Sequence, residues 1–567
     1  MGFAQRSVTV ITAIAASCAM ALSLTACTSD TAEQTVTGKD QTTVTSDSVG
    51  TVALFTPSDG ITLNQQTPLN KWAKLTPELT SALTDYGFKK KNVSHTTSDS
   101  LDKQSRAIQD YVVDHLSGKN KSDDSGITIE PENMTLLVAP VVQADDSTRQ
   151  YGDYVSQELN TDQDVSEGSA NADDTDGKSN DSSSANNSDS DTSDSDAEAT
   201  DKSNSAGAGS SEDSNDSADP DQTQAVQRLV SSLKLAQESG MHVVLLANSI
   251  EGYKPDAFVQ FSDARTIGHL QAEKLAAKLE LDKASKDNPK HIEVLLPYTP
   301  TDRSDANVDD TFAEEAFQGI WQVLGAYYQK GVVVSPSGTL DGTSTQKDWL
   351  NVAYDASKND ATAKELDSRL ETDDVDSTPT RIDGVIAMND YVASEVVKEL
   401  DQLGYTGSAA DINPQITIAG IVGNIAGKKD LQREQVPDPI KSPENDDTND
   451  AHGSKTDDDA SAKAKDSQWP LVTGYGAYIS SIPSVVNGKQ WMTGIENRDA
   501  LASDIAEMCG KLNTGENISS LSAVKNTEVG GVKKVPTLNE PVLAVGASNL
   551  KATLIDPGYI TLADAGL

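Results

Sequence analysis

The sequence predicts an α/β protein of two doubly wound parallel-sheet lobes, and three observations carry that prediction. Short apolar runs of strand length alternate with amphipathic runs of helical period, the pattern of a parallel sheet covered on both faces. This alternation runs through the chain twice. The polar residues that would make 567 positions look like several domains are instead gathered into two acidic tracts that interrupt the pattern without contributing to it.

In the first set, Val52-Ala53-Leu54-Phe55 reads as a buried strand ending in the turn-like Thr56-Pro57-Ser58-Asp59-Gly60. Thr76 is placed as an N-cap with Pro77 at the first helical position, and Leu79, Leu83 and Tyr86 then line one face up to Gly87. Residues 104–116 read as a helix and Met134 to Ala139 as a strand. Beyond the first tract, Val226, Leu229, Val230, Leu233 and Ala236 repeat at helical spacing until Gly240, and the strand 242–247 follows.

The second set opens with a strand at 291–296, a helix at 311–328 and a strand at 331–334. It continues with a helix at 361–370, a strand at 383–387, and a helix marked by Val392, Val396, Leu400 and Leu403 that Gly404 ends. Ile416 to Gly420 also reads as a strand. Ligands in such sheets bind beyond the carboxyl ends of the strands, so two facing lobes would place both sets of ends around one cleft.

Between Asp162 and Asp221 the chain has 18 carboxylates opposed only by Lys178 and Lys202. So little apolar surface cannot offset the entropy of ordering, and disordered insertions are expected at about 143–222 and, with the same composition, about 430–468. A net charge of −43 with no basic stripe argues against a nucleic-acid partner. The Asp-rich stretch at 188–196 lacks the spaced ligands, central Gly and closing Glu of a formed calcium loop. The six His have no metal-ligand spacing, and no nucleophile stands near a base in sequence. Catalytic residues, metal sites and cofactors are therefore expected to be absent.

The start of the chain reads as an export signal at 1–26: Met1 and Arg6 precede a mostly apolar run from Val8 to Leu24, too short to span a bilayer comfortably. Leu24-Thr25-Ala26-Cys27 then has the form that bacterial lipoprotein processing reads, which makes Cys27 the expected acylated N-terminus and membrane anchor. Residues 27–50 form a polar, Thr-rich tether. Cys18 would leave with the signal, so Cys509 is left without an intramolecular partner, and its apolar spacing suits a buried thiol.

Asn70-Lys71-Trp72, Phe261-Ser262-Asp263, Met388-Asn389-Asp390 and Gly531 to Thr537, in that order along the chain, resemble the sugar-binding periplasmic proteins of the type I fold, whose two lobes are joined by hinge crossovers, above all the xylose-binding and multiple-sugar-binding branch. Asn70-Lys71-Trp72 is similar to that branch's Arg-Trp motif, and Phe261-Ser262-Asp263 with Gly268 and Leu270-Gln271-Ala272 to its crossover between lobes. Met388-Asn389-Asp390, Thr473 to Tyr478 and Ser484 to Gly488 match further in order. The closing stretches Gly531 to Thr537, Pro541 to Val545 and Asp556 to Tyr559 match best.

The resemblance implies an N-terminal lobe at 51–261, a C-terminal lobe at 262–493, a return at 494–515 and a closing segment at 530–567. It also implies reversible capture of a small sugar between closing lobes and delivery to an ABC permease. Sugar capture needs an aromatic face and planar polar groups, which makes Trp72 the stacking candidate and Asp390 with Asn389 the hydroxyl candidates. Two plainer roles also fit: Trp72 as a core residue and Asp390 as a helix cap.

At the remaining family ligand positions residue types have changed. Lys71 replaces an Arg and loses its bidentate fork. An Asp-Arg pair falls near Ala247-Asn248, an Asn pair at Thr311 and Phe312, a Gln-Asp at Tyr475 and Gly476, and a hinge Lys near Glu496. Asp263 is kept, for a ligand or for the crossover. Two functions follow: a lipid-anchored importer component for a sugar or related polyhydroxylated molecule, and a surface sensor or scaffold that keeps the fold but binds another ligand or a protein.

Overall fold

The computed structural model describes residues 49–58, 68–117, 130–142, 150–160, 220–300, 311–358, 360–370, 379–409 and 469–567. The signal, Cys27, the tether, most of both acidic tracts and the candidate strand at 416–420 lie outside the described residues.

The first lobe is an alternation of strand and helix. It comprises β1 (Thr51–Pro57), α1 (Trp72–Tyr86), β2 (Val93–Ser98), α2 (Leu101–Leu116), β3 (Met134–Val138), β4 (Glu158–Leu159), α3 (Pro220–Glu238), β5 (His242–Leu246), β6 (Ser249–Ile250) and β7 (Ala257–Gln260). The chain then crosses into α4 (Ala264–Lys278), β8 (Lys290–Val294), β9 (Leu296–Tyr298), α5 (Thr311–Gln329), β10 (Val333–Val334) and β11 (Ala353–Asp355). This lobe continues with α6 (Ala361–Leu370), β12 (Gly384–Ile386), α7 (Asp390–Gln402), β13 (Leu471–Val472), α8 (Ile482–Asn487) and β14 (Thr493–Ile495). A return brings α9 (Arg498–Asn513), β15 (Val524–Val529) and β16 (Val532–Asn539) to the first lobe before β17 (Leu543–Val545).

The first sheet runs β15-β16-β7-β5-β3-β1-β2, with β2, β1, β3, β5 and β7 all parallel. The second runs β10-β8-β12-β13, also parallel. Counted within each lobe, both begin in the order second-first-third-fourth, the doubly wound order whose switch point lies beside the first strand. Three crossovers join the lobes, after β7, after β14 and after β16, and β14 pairs antiparallel with β17 there. The two-residue loop Gly530-Gly531 closes the β15–β16 hairpin with both φ positive, at 55° and 72°, as a primed turn requires.

Period-two alternation splits the first lobe's core. Val52 and Leu54 face α1 and α9 through Leu79, Leu83, Ile505 and Met508, while Ala53 and Phe55 face α2 and α3 through Ile108, Val112, Leu229 and Leu233. Each such side chain contributes roughly 1.5–3 kcal/mol by leaving water. In the second lobe Ile292 and Val294 pack under α4 and α5, and Val385 and Ala387 under α6 and α7. Cys509 is buried in α9 with a free thiol, whose ionisation burial strongly opposes.

Helices α4 and α5 approach through reciprocal glycines. A Cβ on Gly268 would lie 2.1 Å from the Ala316 carbonyl oxygen, and one on Gly319 would lie 2.0 Å from that of Arg265. Gly319→Ala is therefore expected to force the pair apart and destabilise the protein by about 1–3 kcal/mol, the usual range for overpacking. A urea midpoint equal to that of the parent chain would contradict the close crossing.

Two expectations are corrected. Helix α1 begins at Trp72, not after Thr76, so Pro77 lies inside it at the loss of one backbone hydrogen bond. Its cap is not local: Lys71 precedes it in extended conformation, and the first amide donates to the Asp153 carboxylate 81 residues on, at 3.3 Å. Residues 150–159, placed inside the first disordered insertion, are packed and include β4. The strand leading into the Gly474 turn is Leu471–Val472, paired with β12. Among the described residues no helix is long and apolar enough to cross a membrane.

Candidate functional site

The carboxyl ends of both sheets turn sharply into the space between the lobes. After β5, Ala247 has φ 61° and Asn248 N–H donates back to Leu246 O at 2.6 Å. After β12, Met388 has φ 50° and Asn389 N–H donates to Ala387 O at 2.5 Å. Both are three-residue γ-turns with a strained central residue, a conformation that costs of order 1–3 kcal/mol and clusters at functional sites. They project Asn248 from the first lobe, and Asn389 with Asp390 from the second.

In the second lobe Asn389 caps α7, its Oδ1 accepting from Val392 N–H at 2.9 Å. Asp390 is the first helical residue and is fully buried. Its Oδ1 accepts from Gln490 Nε2 at 2.7 Å; its Oδ2 accepts from Tyr478 N–H and the Thr493 hydroxyl, each at 2.9 Å. Burial outweighs these donors and pushes the carboxyl up to about 6. The side chain assigned to sugar hydroxyls thus ties α7 to the segment leading into β14.

In the first lobe Trp72 is 2 % exposed and edge-packed on Tyr154 and Phe261, with ring centroids 4.9 and 5.9 Å away. Its Nε1 has no acceptor among the described residues. Lys71 Nζ stands 3.3 Å from Asp153 Oδ1, and the Tyr154 hydroxyl donates to Lys71 O. Asn248 donates to Pro140 O and accepts from Gln157 N–H, each at 2.9 Å.

At the hinge the Tyr475 hydroxyl donates to Glu496 Oε1 at 3.0 Å, and that oxygen also accepts from Ser262 N–H at 2.8 Å. Burial raises both the carboxyl of Glu496 and the phenol of Tyr475 above their ordinary values. Asp263 caps α4, accepting from Thr266 N–H at 2.7 Å. The Phe312 ring packs against that of Tyr151, centroids 4.8 Å apart and planes tilted by 50°.

The structure therefore gathers Lys71, Trp72, Asn248, Asn389, Phe312 and Tyr475 around one segment, residues 150–159. It sets Asp390, Asp263 and Glu496 behind that surface with their carboxylates taken up by the chain itself. Sequence reasoning missed Tyr151, Asp153, Tyr154, Gln490 and Thr493. One signal was present: Tyr151 and Tyr154 are the two aromatic residues in the stretch 143–222.

A cavity of about 200 Å³ remains beside this segment, lined among others by Gln150, Tyr354, Thr362, Tyr391, Glu395 and Lys398. Among the described residues no group of three or more His, Cys, Asp and Glu is placed to hold a metal.

No protein-family model matches the chain. The multiple sugar-binding periplasmic protein SbpA of Azospirillum brasilense is 36% identical over 94 residues, which are 16% of this chain and 25% of that protein. The match thus spans a quarter of the relative's length. Among solved structures, an ABC-transporter solute-binding protein from Clostridium phytofermentans with bound β-D-glucose is 17% identical, with 90% of this chain and 99% of that one covered and a TM-score of 0.42. A carbohydrate-transporter solute-binding protein from Chloroflexus aurantiacus in complex with D-glucose is 15% identical, covering 90% and 97% with a TM-score of 0.41. One from Bacillus halodurans with bound myo-inositol is 11% identical, covering 90% and 98% with a TM-score of 0.34. By name all four are sugar-binding or solute-binding proteins; the fold itself rests on the strand orders and crossovers above. Over those 94 residues the chain is similar in sequence to a multiple sugar-binding periplasmic protein.

Proposed function

We propose that the protein is an extracytoplasmic solute-binding component of an ABC importer, lipid-anchored through Cys27, that takes a sugar or related polyhydroxylated molecule between its lobes. One observation carries this reading: two sheets of like strand order turn their carboxyl ends toward one space bounded by three crossovers. With residues 150–159 displaced, aromatic faces and planar amides would line it, Trp72, Phe312 and Tyr475 with Asn248 and Asn389, each of which now meets that segment. Such a lining suits the C–H face of a pyranose or cyclitol and pairs of its hydroxyls. The anchor would hold the receptor beside its permease.

The test is a thermal-shift and calorimetric series against D-glucose, D-xylose and myo-inositol. A true ligand at 100 times its dissociation constant should stabilise the protein by about 2.7 kcal/mol. If none of them shifts the midpoint of the parent chain or of a variant with residues 150–159 released, the sugar reading fails. A second reading, a surface sensor or scaffold with a protein partner, is favoured by the cleft's holding a segment of its own chain. Capture of the permease by the anchored protein distinguishes the two.

A further inference from the structure

The segment from Gln150 to Leu159 runs through the cleft and touches both lobes. On the second lobe, Gln150 O accepts from the Tyr478 hydroxyl at 2.6 Å and Gln150 Oε1 accepts from Asn389 Nδ2 at 3.2 Å. The Tyr151 ring lies 4.8 Å from Phe312 and 6.4 Å from Tyr475, inside that lobe's apolar cluster. On the first lobe, Asp153 N–H donates to Asn70 O at 2.8 Å while its carboxylate meets Lys71 and caps α1. Tyr154 enters the other apolar cluster beside Trp72 and Phe261. Ser156 N–H donates to Ser262 O at 3.1 Å, Gln157 N–H meets Asn248, and β4 pairs parallel with β6.

Aromatic rings, a carboxylate and backbone amides of one strap thus meet the groups that face the cleft at the strand ends. Gly152 makes the passage possible. Its φ is 113°, and a Cβ there would lie 2.6 Å from Asn70 Cβ and 2.7 Å from Asn70 O. Substitution would be strained and would also strike the backbone of the opposite wall.

We propose that residues 150–159 are an intramolecular occupant of the solute cleft, which seats Tyr151 in one lobe and Tyr154 in the other and holds the lobes together until a solute displaces it. The proposal rests on reading this cleft as the solute site. A receptor whose competent state is a small fraction f of the population has its dissociation constant raised by 1/f. The strap therefore sets a threshold, and the receptor takes solute only at high concentration.

The test uses the full chain and reads lobe separation apart from solute. In the parent protein the amides of Asp153, Ser156 and Gln157 should exchange hydrogen at least about 100-fold more slowly than in an unstructured peptide. Exchange at the peptide rate overturns the proposal without any variant. Spin labels at exposed positions of the two lobes should report one short distance in the parent. Gly152→Val and the double substitution Tyr151→Ala with Tyr154→Ala should both lengthen it in the absence of solute, and an unchanged distance in folded variants overturns the strap. Released variants should bind D-glucose or myo-inositol roughly 10- to 100-fold more tightly than the parent. Variants that open but bind no sugar or cyclitol sustain the strap and overturn the sugar reading instead.

Discussion

Arg369→Ala should destabilise the second lobe by about 3–5 kcal/mol, the range for removing one partner of a buried ion pair. Arg369 lies in α6 and Glu293 on β8, with side chains 4% and 0% exposed and Nη1 3.3 Å from Oε2. The guanidinium also donates to Val294 O at 2.7 Å, Val352 O at 3.0 Å and Glu365 Oε1 at 2.8 Å. Glu293 Oε1 accepts from the Ser335 hydroxyl at 2.7 Å and Ser337 N–H at 2.8 Å. The pair therefore ties β8, β9's partner loop and α6 into one unit. Truncating the Arg strands a buried carboxylate and two carbonyls at once. Arg369→Lys should be intermediate, since one ammonium cannot reach the separate acceptors that the planar fork spans. Equilibrium denaturation followed by the fluorescence of Trp321 and Trp349, both in that lobe's packed cluster, is the measurement. A midpoint within error of the parent for Arg369→Ala would show that the pair is not buried as described.

Much of this architecture was legible in the sequence because it depends on short-range periodicity. The strands 52–55, 134–139, 242–247 and 291–296 and the helices at 226–236, 311–328 and 392–403 each declare their period locally, and the structure places an element at every one. Edge strand β2 was not legible, since Val93-Ser94-His95-Thr96-Thr97-Ser98 leaves most of its side chains outside the core and carries no apolar signal. Two other features depend on partners remote in sequence. Helix α1 starts early because Asp153 supplies its cap. The strap is packed although it opens an acidic tract, because Tyr151 and Tyr154 find apolar clusters on opposite lobes. For the site, residue types at the strand ends could be read, but not which of them face solute and which face the chain. Asp390 and Asp263 have the same composition signal as ligand carboxylates, and only the positions of Gln490, Thr493 and Thr266 give them internal donors.

Asp390→Ala should be the costliest single change at the interlobe face, with a pH signature that separates it from simple loss of packing. Removing the carboxylate leaves Tyr478 N–H, the Gln490 amide and the Thr493 hydroxyl without their acceptor in a buried site. Each abandoned donor costs about 1–3 kcal/mol, so a total of about 3–5 kcal/mol is expected after partial relaxation. The charge adds a second effect. Burial raises this carboxyl from 3.8 to about 6, so the folded state holds the proton more tightly than the unfolded chain does. Its contribution to stability is therefore complete below about pH 4 and is lost as pH rises through 6. At about 1.36 kcal/mol per pH unit, the difference between pH 4 and pH 7 is about 3 kcal/mol from this group. Asp390→Asn cannot titrate, so the stability of the parent relative to this variant should fall by that amount between pH 4 and pH 7. Glu496, also raised by burial, titrates in the same direction in both proteins and cancels in the comparison. A pH-independent gap between parent and Asp390→Asn would mean that the carboxylate is solvated, and hence that it is turned toward the cleft and available to a solute.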